Sequence, residues 1–121
     1  MKKILYLEDD PINAFVMERL LRKDFLITHV TNGESCLELI QKEAFHCILM
    51  DINLGKGNMN GIETMKRIKE INSFKDIPVF AITSYAMPED KERFLSDGFD
   101  YYLPKPVERK ILVQQINRFC R

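Results

Sequence analysis

The 121-residue chain carries no excess of either charge: 18 basic side chains face 18 acidic ones, mixed along the sequence, and the formal net charge is zero. A nucleic-acid binder would show a basic face, and none stands out. Long apolar runs are also missing, and none approaches the roughly 20 residues that a membrane span needs. The opening MKKILYLEDD reaches acid after the short apolar run ILYL and does not read as a secretory leader. Cysteine is sparse and unpaired in sequence. Cys36, Cys47 and Cys120 form no Cys-x-x-Cys motif, so they read as reduced thiols of a cytoplasmic protein, with neither a zinc site nor a disulfide framework. Cys47, inside an apolar run, is expected in the core, and Cys120, near the end, at the surface. No linker, low-complexity tract or internal duplication interrupts the chain. It reads as one domain over residues 1–121, long enough to bury a core and without an output domain of its own.

What is present alternates between two periods. KILYL, FLITHV, HCILM, PVFAI and DYYL are short apolar or β-branched runs. Between them apolar residues recur at helical spacing: Ile12, Phe15, Val16 and Leu20; then Cys36, Leu37, Leu39 and Ile40; then Ile62, Met65, Ile68 and Ile71. The segment AMPEDKERFLSDG carries helix signals at both ends, Pro88 with acids at its start and Gly98 at its stop. Ile111, Leu112, Gln115, Ile116 and Phe119 outline a last helix. Five strands alternating with five helices predict an α/β fold built of βα units around a parallel sheet.

In such a sheet, ligands bind at the carboxyl ends of the strands. The first strand runs into Glu8, Asp9 and Asp10, and the third into Asp51. The fourth runs into Thr83 and Ser84, and the fifth into Pro104, Lys105 and Pro106. Clustered carboxylates repel: two unit charges 4 Å apart cost about 4 kcal/mol at an effective dielectric of 20. Protons or a cation relieve that repulsion. Oxygen-only ligands beside a lysine favour Mg²⁺, and the set suits phosphoryl transfer with an aspartate as nucleophile.

Each residue also has a plainer reading. A lone threonine at a strand end more often satisfies backbone, and a lone tyrosine in a strand more often packs. Asp10 reads as a solvated acid at a helix N-terminus, with Pro11 and Asn13 helping to start that helix. His29 and His46 sit at strand positions with no partner pattern and read as structural. The acids, Thr83 and Lys105 gain meaning from their joint placement.

With Glu8-Asp9, Asp51, Thr83, Tyr102 and Lys105-Pro106 each at its strand, the chain resembles the response regulator receiver domains over nearly its whole length. The resemblance implies a three-layer, flavodoxin-like (βα)5 fold with sheet order 2-1-3-4-5. It implies that Asp51 accepts a phosphoryl group from a phosphohistidine on a sensor histidine kinase or histidine phosphotransfer protein. The chain would thus catalyse its own phosphorylation and dephosphorylation. Asp9, Asp51 and the backbone carbonyl of Asn53 would bind Mg²⁺, with Glu8 acting through water, and Lys105 would pair with the phosphoryl oxygens. The Lys105–Pro106 bond would be cis. Thr83 and Tyr102 would form a switch in which Tyr102 turns from exposed to buried. A downstream protein would then read the fourth helix, fifth strand and fifth helix, residues 87–97, 99–103 and 108–118. Asn53 and Tyr85, two past Asp51 and two past Thr83, would set the lifetime of the phosphorylated state. Two departures stand beside the site: Gly55 occupies a position usually held by proline, and Gly61 comes two residues late after a glycine-rich loop, residues 54–61.

Three other functions fit less well. A phosphatase of the haloacid dehalogenase type needs a second acid two residues beyond the nucleophile, where this chain has Asn53. A flavodoxin-type FMN binder needs a phosphate cradle after the first strand, where this chain has three acids. A receiver-like module that docks partners without phosphorylation has no need of the acids and lysine that are retained here.

Overall fold

The computed structural model describes residues 1–52, 61–71, 73–84 and 88–120. The elements follow one another as β1 (Lys2–Leu7), α1 (Pro11–Leu21), β2 (Phe25–Val30), α2 (Gly33–Ile40), β3 (Cys47–Asp51), α3 (Gly61–Glu70), β4 (Val79–Thr83), α4 (Pro88–Asp97), β5 (Tyr101–Pro104) and α5 (Arg109–Phe119). The five strands are parallel and ordered β2-β1-β3-β4-β5, which is the (βα)5 flavodoxin-like arrangement.

Strand alternation divides the core into two layers. Side chains two apart on a strand share a face. Ile4, Tyr6, Cys47, Leu49, Phe80 and Ile82 therefore pack with α1 and α5. Leu5, Leu7, Ile48, Met50, Val79 and Ala81 pack with α2, α3 and α4 on the other side. Because both faces are covered, β3 and β4 are buried along their full length, as their unbroken apolar runs require.

Helix α1 is present where its spacing predicts it, but it is turned the other way. Ala14, Met17 and Leu21 face the sheet, whereas Ile12, Phe15 and Val16 point to solvent, Phe15 with 58% of its surface exposed. Cys120 also departs from expectation. The last turn of α5 tucks it under the sheet, and its thiol donates to the His46 carbonyl at 3.1 Å. His46 has a partner as well, its Nδ1 accepting the Lys3 N–H at 3.0 Å.

Helix ends are set locally. The Asp10 carboxylate caps α1 by accepting the Ile12 N–H at 2.9 Å, with Pro11 in the first turn. Asn32 caps α2 through the Ser35 N–H at 2.8 Å. Gly98 ends α4 at φ +125°, a conformation that side chains rarely adopt, and a Cβ there would meet the Met65 sulfur at 3.1 Å. Gly98→Ala is expected to destabilise the fold by about 1–3 kcal/mol, the usual range for backbone held in such a region. A chemical-denaturation midpoint unchanged from wild type would refute this.

Candidate active site

Sheet register brings the sequence-predicted acids together. Leu7 pairs with Met50, so the next residues along, Glu8 and Asp51, stand side by side at the carboxyl edge. Asp51 pairs with Ile82 and Thr83 with Pro104, which brings β4 and the residue after β5 to the same edge. The Lys105 N–H donates to the Thr83 carbonyl at 2.9 Å, fixing the start of the loop that carries the lysine. The next peptide bond, Lys105–Pro106, is cis.

Glu8 and Asp51 are each only 1% exposed. The Lys105 ammonium lies against Asp51 Oδ2 and 3.7 Å from Glu8 Oε1. Asp9, which follows Glu8 in the chain, is half-buried, and Asp10 faces solvent as the α1 cap. Removing carboxylates from water is costly without compensation. Burial, then the hydrogen bond and charge of Asp51, raise the Glu8 carboxyl from its ordinary 4.5 to about 7, against the opposing pull of the Asp10 N–H and Lys105.

A group whose folded value is raised contributes stability that is full below its unfolded value and is lost as pH rises through the folded value. Protein kept metal-free by a chelator should therefore lose stability between about pH 4.5 and 7. Glu8→Gln should flatten that part of the profile. Urea unfolding across the range checks it, and an equally steep loss in Glu8→Gln would sink the assignment.

Two further residues belong to this neighbourhood. His29, on β2, holds the Glu8 carbonyl through Nε2 at 2.6 Å, and so must carry its proton there. Tyr6, two residues before Glu8 on β1, donates its hydroxyl to Glu8 Oε1 at 3.2 Å. From sequence both read as strand residues. The only available signal was the period of two that puts Tyr6 and Glu8 on one face.

Thr83 is fully buried at the end of β4. Tyr102 is 8% exposed and stacks on Phe94 with ring centroids 5.8 Å apart, so its ring already lies inside and not at the surface position from which it was expected to turn. Gly61 opens α3 against the site: a Cβ there would meet the Asp51 carbonyl at 3.3 Å and Ile52 Cδ1 at 3.2 Å. The late glycine thus permits a close helix approach. Asn53, Tyr85 and most of the glycine-rich loop, residues 53–60, lie outside the described residues.

The comparisons with known proteins agree with this geometry. The family model for the response regulator receiver domain matches residues 4–117. The polar-differentiation response regulator DivK of Brucella anthropi is 30% identical, over 98% of this chain and 95% of its own length. Hybrid signal transduction histidine kinase I of Dictyostelium discoideum is 36% identical over 99% of this chain, but the chain spans only 7% of that relative's length. Among solved structures, the receiver domain of a sensor histidine kinase from Pseudomonas aeruginosa PAO1, with a magnesium ion coordinated in its active-site cleft, superposes with a TM-score of 0.87 at 29% identity. The superposition covers 98% of this chain and 97% of that one. Since the family match begins before the acidic loop and runs on past the lysine, the chain belongs to the response regulator receiver domain family.

Proposed function

We propose that the Asp51 carboxylate accepts a phosphoryl group from a phosphohistidine on a sensor histidine kinase or a histidine phosphotransfer protein, and that a partner protein reads the result. The observation that carries this is a charge imbalance at one sheet edge. Glu8 and Asp51 bring two buried carboxylates against the one Lys105 ammonium, and Asp9, the next residue along the chain, adds a third acid. When ionised they sum to −2, the charge that one divalent cation cancels.

The donor set fits Mg²⁺. It is all oxygen, and Mg²⁺ is usually held by one or two carboxylates with several waters. Among the described residues no three His, Cys, Asp or Glu side chains are grouped closely enough to hold a metal by themselves. Asp9, Asp51 and the Asn53 carbonyl would hold the ion, with Glu8 acting through water. When bound, Mg²⁺ supplies positive charge to the phosphoryl oxygens.

The side chains do the rest. An Asp51 oxygen forms the new O–P bond as the N–P bond of the donor histidine breaks, and the imidazole leaves with the bonding pair and takes a proton. Lys105 then has the phosphoryl oxygens as partners in place of the carboxylate it now touches. The fixed start of its loop keeps the ammonium within reach. Thr83, at the end of the neighbouring strand, is placed for its hydroxyl to approach the new anion.

Two surfaces serve partners. The phosphoryl donor docks on the exposed stripe Ile12, Phe15 and Val16 of α1, which runs beside a groove of about 410 Å³ lined in part by Val16, Lys105 and Pro106. That groove opens next to the lysine, so a helix carrying the histidine can lie there and reach Asp51. The downstream partner reads α4, β5 and α5, where Thr83 movement is transmitted. No helix among the described residues is long and apolar enough to cross a membrane. Hydrogen exchange with and without beryllofluoride, a phosphoryl mimic, should change over α4, β5 and α5. Changes confined to α1 and α2 would refute the output surface.

The direct test is labelling with a small phosphoryl donor such as acetyl phosphate. Hydroxylamine-sensitive label should accumulate with Mg²⁺ and be absent in a chelator. Equal labelling without metal would overturn the reading.

A further inference from the structure

The backbone of Glu8 is already fixed. Its N–H donates to the Val30 carbonyl at 3.0 Å, and its carbonyl accepts from His29 at 2.6 Å. Its side chain stands beside a second buried carboxyl, Asp51, which both hydrogen-bonds and repels it. Oε2 accepts the Asp10 N–H at 3.4 Å, a long bond, and Oε1 lies 3.7 Å from Lys105, beyond hydrogen-bond distance. The Asp51 carboxyl shares a hydrogen bond with Glu8, and from the strand itself the Tyr6 hydroxyl donates to Oε1 at 3.2 Å.

Tyr6 suits that task. It is 1% exposed, clamped by its ring in the layer under α1 and α5, and it shares a strand face with the carboxylate two residues on. Phenylalanine would fill the same space without the donor, and serine or threonine would stop short of the carboxylate. Burial, then the charge of Glu8, push the phenol up from its ordinary value, so it stays protonated and remains a donor across the working range.

We propose that Tyr6 is a positioning residue for the metal site, its hydroxyl holding the Glu8 carboxylate in the orientation from which it reaches Mg²⁺ through water. This rests on the reading of Asp9 and Asp51 as the metal-binding acids. Outer partners of this kind commonly govern affinity by 10–100-fold. Hydrogen bonds to charged groups also exceed neutral ones in strength.

The test is a Mg²⁺ titration of metal-free protein, followed by amide NMR shifts at residues 8–10 and 51. Tyr6→Phe should raise the Kd roughly tenfold, at the low end of that range. Thermal unfolding in chelator shows that the variant is folded. Glu8→Gln should also raise the Kd, and adding Tyr6→Phe to it should change nothing further, because the hydroxyl acts only through the carboxylate. A Tyr6→Phe Kd within twofold of wild type overturns the proposal. So does a tenfold loss that persists on the Glu8→Gln background, since that would mark a structural effect of the ring's environment. If wild type itself shows no shifts at residues 8–10 and 51, the metal-site reading falls, and this inference with it. Normal wild-type binding with an unaffected Tyr6→Phe removes the inference alone.

Discussion

Asp51→Asn protein, incubated with a phosphorylated histidine donor and Mg²⁺, should carry no hydroxylamine-sensitive label above background. Asparagine is nearly isosteric with aspartate, but its amide oxygen is a poor nucleophile and has no negative charge to offer phosphorus. The fold should survive. Asp51 ends a strand whose other residues are all buried apolar side chains, and these are untouched. Lys105 keeps Glu8 within 3.7 Å. A second readout comes from the same substitution. Asp51 raises the Glu8 carboxyl through its hydrogen bond and its charge, so Asp51→Asn should move Glu8 back down toward the usual carboxylate range. A carboxyl-labelled NMR titration would follow it. Label persisting at the wild-type level would mean that another side chain is the acceptor. An unmoved Glu8 would mean that burial alone sets its value.

The second large effect is expected on α1. Phe15 is 58% exposed, with the Arg19 guanidinium 5.5 Å from its ring centroid, and it contributes little to the core. Phe15→Ala should therefore change stability by no more than about 0.5 kcal/mol, as surface substitutions usually do. Phosphoryl transfer from a protein donor should nevertheless fall by about 30-fold. That is the consequence of losing an aromatic anchor worth about 2 kcal/mol at the centre of an interface. Transfer from acetyl phosphate, which needs no docking surface, should be unchanged. A parallel loss with both donors would place the defect in the site itself. No loss with either would remove the α1 stripe from the donor interface.

The α1 stripe also shows where sequence reading stops. Ile12, Phe15 and Val16 recur at helical spacing, and so do Ala14, Met17 and Leu21. A helix that is apolar on two sides announces itself as a helix but does not say which side is inside. The small Ala14 and flexible Met17 go against the sheet, where α1 packs close, and the bulkier residues are left to solvent. Cys120 is a similar case: nearness to the chain end suggests exposure, but the last turn of α5 carries the thiol to the His46 carbonyl. For Tyr102, sequence marked the position but not the rotamer, which depends on Phe94 offering a face to stack on.

The sequence by itself determined the five strands and five helices, the parallel sheet, and the acids, threonine and lysine at its carboxyl edge. These follow from local information: the period of two or 3.6 in apolar residues, and the rule that ligands gather where parallel strands end. Only the tertiary structure decided which carboxylates would touch. Register sets Glu8 beside Asp51, and Lys105 arrives from a strand two places away in the sheet. Only the tertiary structure, likewise, turned Tyr6 and His29 from strand residues into partners of Glu8. Such contacts depend on distances between segments far apart in the chain, or on the direction in which one side chain points, and neither is encoded in the periodicity of a single segment.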